Sequence, residues 1–139
     1  MKKFMSLILA LGMLLTVAVT SVSAAEEASK STPYGTLEGF QSNKFTGFSD
    51  HWGVFLFSQT VCSKDVSIVT ITLSFKNTNT GAQLRNFTER ADNYSWCGWQ
   101  GAIWHDNPQS VTKMTGFGAH QLIQGNYSAV VYTTQKISR

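Results

Sequence analysis

Val69, Ile71, Leu73 and Phe75 alternate with Thr70, Thr72, Ser74 and Lys76. A period of two sends alternate side chains to opposite faces. This stretch therefore predicts a strand with one face in the core and one in water. Val66 and Ile68 break the phase and predict a bulge or an edge change near Ile68. Asn77-Thr78-Asn79-Thr80-Gly81 is turn chemistry, because Asn and Gly tolerate positive φ. Residues 83–88 are expected to return as the second arm of a hairpin. Residues 52–61 predict another strand, and its Val54-Phe55-Leu56-Phe57 run lacks alternation, which predicts cover on both faces. Residues 34–40, 111–117 and 127–134 predict shorter strands. In the last, Tyr127, Ala129 and Val131 share a face opposite Val130 and Tyr132. Residues 41–50 read as a loop with Phe45 and Phe48 tucked inward, and 89–93 read as a connection. Residues 93–104 are aromatic and interrupted by Gly98 and Gly101. Beyond the N-terminus no window carries a helical apolar stripe. The pattern predicts an all-β fold, a small antiparallel β-sandwich or barrel of six to seven strands.

The N-terminus has its own pattern. Met1-Lys2-Lys3 precedes an uncharged apolar run from Phe4 to about Val19, and Val22-Ser23-Ala24 fits a small-x-small cleavage site. Residues 1–24 are expected to be a signal peptide cut after Ala24. The rival, an uncleaved anchor, is disfavoured because a bilayer span needs roughly twenty apolar residues. Residues 25–33 are polar and read as a flexible leader ending at Pro33, followed by a single β-domain over 34–139. The mature chain is then expected outside the membrane, extracellular or periplasmic, with no stable membrane anchor. The Met-Lys-Lys opening has a bacterial look.

That cut changes the charge. Eleven basic residues, less Lys2 and Lys3, stand against eight acidic ones, so +3 falls to about +1. No Lys/Arg run remains to follow a phosphate backbone, so nucleic acid is not an expected partner.

Cys62 and Cys97 are the only cysteines. In an exported chain two cysteines most simply form one disulfide, worth about 3.5–4 kcal/mol by loop-closure entropy. The redox alternative is weak. Trp96-Cys97-Gly98-Trp99 is followed by Gln100 and Gly101, with no resolving thiol.

Candidate chemistry centres on four tryptophans. Trp96, Trp99 and Trp104 lie close in sequence, and Trp52 heads the strand that leads to Cys62. Trp pairs an apolar body with a polar tip and suits sugar faces and protein surfaces; the plainer reading packs these rings in the core. His51, His105 and His120 show no short-range ligand spacing, so no metal or other cofactor is expected. Glu38, Glu89, Asp92 and Asp106 could supply a hydrolytic carboxylate pair, but ordinary exposed charges are the favoured reading. Asn86, Asn93 and Asn126 open glycosylation triplets of a kind frequent in Asn- and Ser-rich chains. The chain is expected to be a secreted, non-enzymatic binding domain. Its ligand-binding residues would be Trp52, Trp96, Trp99 and Trp104, and its partner an extracellular glycan or protein. The alternatives are a toxin or bacteriocin-like protein acting on cell envelopes, and a small secreted hydrolase.

Overall fold

The computed structural model describes residues 26–47, 52–105 and 111–139, with backbone alone at 46, 47, 52 and 105. The expected signal peptide lies outside the described residues. Six antiparallel strands follow one another: β1 (Glu26–Thr32), β2 (Gly35–Gly47), β3 (Trp52–Asn77), β4 (Gln83–His105), β5 (Lys113–Gln124) and β6 (Tyr127–Ser138). They form one sheet that bends into a nearly closed barrel.

β3 carries the architecture. Its first half pairs with β2 on one edge, and its second half pairs with β5 on that same edge. β4 follows the other edge of both halves, with a register break between Val61 and Val66. At that break the β3–β4 ribbon turns, and Asn93 takes a φ of 53° on the β4 side. The bend folds the sheet into two layers. The front layer holds β1, β2, the first half of β3 and the second half of β4. The back layer holds the other halves of β3 and β4 with β5 and β6. The expected irregularity thus falls a few residues ahead of Ile68.

Alternation sets the core. Val69, Ile71, Leu73 and Phe75 are fully buried, as are Leu37, Val54, Met114 and Leu122. Each such aliphatic or aromatic side chain stabilises the fold by about 1.5–3 kcal/mol relative to exposure. The turn at 77–81 forms as expected, with Gly81 at φ 73° and its N–H bonded to the Asn77 carbonyl at 2.8 Å. A two-residue turn, Gly125-Asn126, joins β5 to β6. Gly125 at φ 56° supplies the positive φ that such a hairpin places first.

Three expectations change. Residues 26–32, read as a flexible leader, form β1, held to β2 from Glu26↔Gln41 to Thr32↔Gly35. An edge strand is defined by backbone pairing, and its mostly exposed polar side chains leave no pattern. Residues 41–47 continue β2, and residues 89–93 run inside β4.

The third change concerns the disulfide. Cys62 and Cys97 are separate, buried thiols. The register sets Thr60 opposite Cys97, so Cys62 is a diagonal neighbour. Diagonal pairs stand about 7–8 Å apart, beyond a disulfide's usual Cα reach. The two side chains also diverge. Cys62 Sγ lies 3.8 Å from the Tyr34 carbonyl, whereas Cys97 bonds toward the backbone of Ile71.

The barrel closes through polar side chains. No ladder joins β2 to β6; instead the Asn43 N–H donates to Gln135 Oε1 at 2.6 Å, and Thr133 Oγ1 donates to Gln41 Oε1 at 3.0 Å. His120 sits fully buried between the layers. Its Nδ1 lies 3.0 Å from Thr60 Oγ1 and its Nε2 2.9 Å from Thr133 Oγ1. Burial pushes its pKa down to about 4, and the Gln59 backbone offsets this in part.

Candidate functional site

The first half of β3 and the second half of β4 face each other residue by residue: Gly53↔Trp104, Phe55↔Ala102, Phe57↔Gln100, Gln59↔Gly98 and Val61↔Trp96. These odd-numbered β3 positions and even-numbered β4 positions point away from the core, because Val54, Leu56, Cys97 and Ile103 point into it. β2 extends the same outer face with Lys44 beside Phe55, Ser42 beside Phe57, Phe40 beside Gln59 and Glu38 beside Val61. β1 adds Glu27 beside Phe40.

The face is therefore apolar where water should be. Phe55, Trp96 and Trp104 are 48%, 45% and 52% exposed. Phe55 meets Trp104 edge to face at 5.5 Å between centroids, and Phe40 meets Phe57 at 5.7 Å. Trp96 donates its indole N–H to Gln59 Oε1 at 3.2 Å. Two glycines let the indoles lie down on the sheet. A Cβ at Gly98 would collide with the ring of Trp96, and one at Gly53 with the ring of Trp104. Each indole lies on backbone beneath it and stays about half exposed.

Beside Trp96 the face dips into an open groove of about 510 Å³ lined by Glu27, Ser29, Glu38, Phe40, Gln59 and Val61. It places two carboxylates and an amide next to aromatic surface. Glu38 and Glu27 are near neighbours across the β1–β2 ladder.

The sequence candidates thus divide. Trp96 and Trp104 share the outer face, near the two ends of the half of β4 that forms it. Trp99 falls on the opposite face of β4, half-buried against Phe87 at 4.2 Å between centroids. Trp52 begins β3 opposite His105, and its side chain lies outside the described residues. Phe55 and Phe57 were expected to be covered on both faces, yet Phe55 stands open. An apolar run reads alike for a strand buried on both sides and for one whose outer face has another use.

The polar candidates do not converge. His120 is buried at the barrel seam, and His51, Asp50 and Asp106 lie outside the described residues, as does the side chain of His105. Glu89 and Asp92 sit on opposite faces of the first half of β4, and Asp92 pairs with Arg90 at 2.6 Å. Of the three described carboxylates among those considered for hydrolysis, Glu38 alone borders the groove. Among the described residues no three His, Cys, Asp or Glu side chains gather as metal ligands would. The Cys97 thiol is pushed up by burial and then by Glu89, which keeps it protonated and unreactive. Neither the protein-family models nor the curated proteins compared with this chain give a match.

Proposed function

We propose that this domain acts outside the cell as a binding module that holds a glycan on the outer face of its front layer. The exposure of Phe55, Trp96 and Trp104 on one face carries the reading. Large aromatic surface left in water on a small domain costs solubility and brings no fold stability, and contiguous patches of this kind mark interaction sites. A flat indole stacks on the C–H face of a sugar ring, while Gln59, Gln100, Glu27 and Glu38 offer partners for its hydroxyls. The platform is built on strands and pinned by backbone, so little ordering entropy is lost on binding.

A membrane-directed toxin is the second reading. An anionic surface calls for a basic rim around the apolar patch. Here Lys44 shares the face with Glu27 and Glu38, a balance that supports neutral or amine-bearing sugars instead. The experiment is a glycan array followed by calorimetric titration with the retained polysaccharide. Wild type should be retained. Trp104→Ala and Phe55→Ala should each weaken binding by roughly 30-fold, since a central anchor is worth about 2 kcal/mol. Unchanged affinity in both variants would remove the platform from the reaction.

A further inference from the structure

β4 has one paired edge. Along its whole length it packs on β3 alone, so the backbone groups of its other edge meet no strand among the described residues. Exposed edges of this kind are usually guarded by charge, proline or a bulge against pairing with another chain. The first half of β4 is guarded in that way, by Arg85, Glu89, Arg90 and Asp92, and by the positive φ of Asn93 at its end. The second half is not. From Trp96 to Trp104 the chain reads Trp-Cys-Gly-Trp-Gln-Gly-Ala-Ile-Trp, with no charge and no proline.

That stretch is also complementary to itself. A two-fold axis through Gln100 pairs residues whose numbers sum symmetrically about it. Trp96 then faces Trp104 of the partner subunit on the outer side, and Gly98 faces the partner subunit's Ala102. On the inner side Trp99 faces Gly101 of the partner subunit, and Cys97 faces the partner subunit's Ile103. Within one chain the Trp99 ring lies over Gly101, so each copy fills that place itself and the pairing draws nothing from it. Shifting the axis to residue 98 or 102 loses the Trp–Trp pairs.

We infer that two copies of this chain pair edge to edge, antiparallel, through residues 96–104 of β4, joining their front layers into one continuous sheet. The contact is isologous, so this stretch of edge closes at two. It uses the backbone donors and acceptors of that edge directly, as strand addition does. The pairing is independent of what the outer face binds. It would, however, merge two aromatic platforms into one, with Trp96 and Trp104 of both copies near the seam.

Sedimentation of the wild-type protein over a concentration series should give twice the chain mass. Gln100→Lys sets two ammonium groups against each other on the axis, at an exposed position, and should give monomer with an unchanged circular dichroism spectrum. Asn86→Lys, on the guarded half, should remain dimeric. A second variant reads the register itself. Gln100→Cys under mild copper–phenanthroline oxidation should form a covalent dimer on a non-reducing gel, and Asn86→Cys should not. Wild type that stays monomeric throughout, or Gln100→Lys that stays dimeric, would overturn the pairing. A dimer in which Gln100→Cys fails to cross-link would overturn the register.

Discussion

The β3–β4 ribbon is one hairpin with two outer surfaces, and they differ completely. On the back layer the outward residues of β3 are Thr70, Thr72, Ser74 and Lys76, and β4 answers with Arg90, Thr88 and Asn86. Thr72 and Thr88 share a hydrogen bond at 3.0 Å, Ser74 reaches Gln83, and Arg90 pairs with Asp92. This is how a sheet meets water. On the front layer the same two strands turn Phe55, Phe57, Trp96 and Trp104 outward. Both halves of β3 bury their inner faces, so the core needs nothing from those outer aromatics. Stability accounts for the back surface; the front is the surface for which a ligand is proposed.

The largest expected effect comes from unpinning the layers. His120 is held neutral in the seam at a pKa of about 4, against 6.5 for the free side chain. Its folded pKa is depressed, so the unfolded chain binds the proton first as pH falls. The stabilising contribution is complete above about pH 6.5 and is lost as pH drops toward 4. That loss is about 3 kcal/mol, or roughly 10 °C in the unfolding midpoint. Urea denaturation across this window should show the fall, and His120→Gln should flatten it. An equal slope in both proteins would mean that carboxylates alone set the pH response.

Next in size is Trp99→Ala. Trp99 packs inward against Phe87, so its truncation should cost about 2 kcal/mol of stability, less than a fully buried ring, and leave glycan affinity per folded molecule unchanged. A loss of affinity without a loss of stability would place Trp99 with Trp96 and Trp104, contrary to the strand parity. Smaller again is the thiol result. Cys62 and Cys97 are buried, and Cys97 is held protonated. Native protein should resist a thiol reagent, and denatured, unreduced protein should take up two labels per chain. Denatured protein that takes up none would restore the bridge. Smallest is Thr88→Ala on the back surface, expected within about 0.5 kcal/mol of wild type in stability and equal to it in binding.

Parts of this contrast were legible in the chain. Val69 to Phe75 display their faces because one side is buried and the other wet, and residues 77–81 announce their turn. β1 was hidden because its side chains are polar on both faces and only its backbone is committed. The bend of β3 was legible only as a break of phase at Val66 and Ile68, because Cys62–Asp65 hold no glycine or proline to mark its place. The tryptophans were half legible. Unbroken alternation puts Trp96 and Trp104 together and Trp99 opposite, but Gly98 and Gly101 argued against an unbroken strand. Those glycines instead make room for the rings lying on them. The openness of Phe55 was illegible in principle, since no pattern within one strand tells a covered outer face from a waiting one.

Tryptophan fluorescence during titration with a retained polysaccharide separates the two surfaces most directly. Wild type, Trp104→Ala on the front face and Tyr132→Ala on the back layer, where the ring is 69% exposed, would be titrated side by side. The front-face assignment predicts saturable binding by wild type, equal binding by Tyr132→Ala, and binding weakened about 30-fold in Trp104→Ala at an unchanged unfolding midpoint. Equal binding by all three proteins, or greater loss in Tyr132→Ala than in Trp104→Ala, would contradict it.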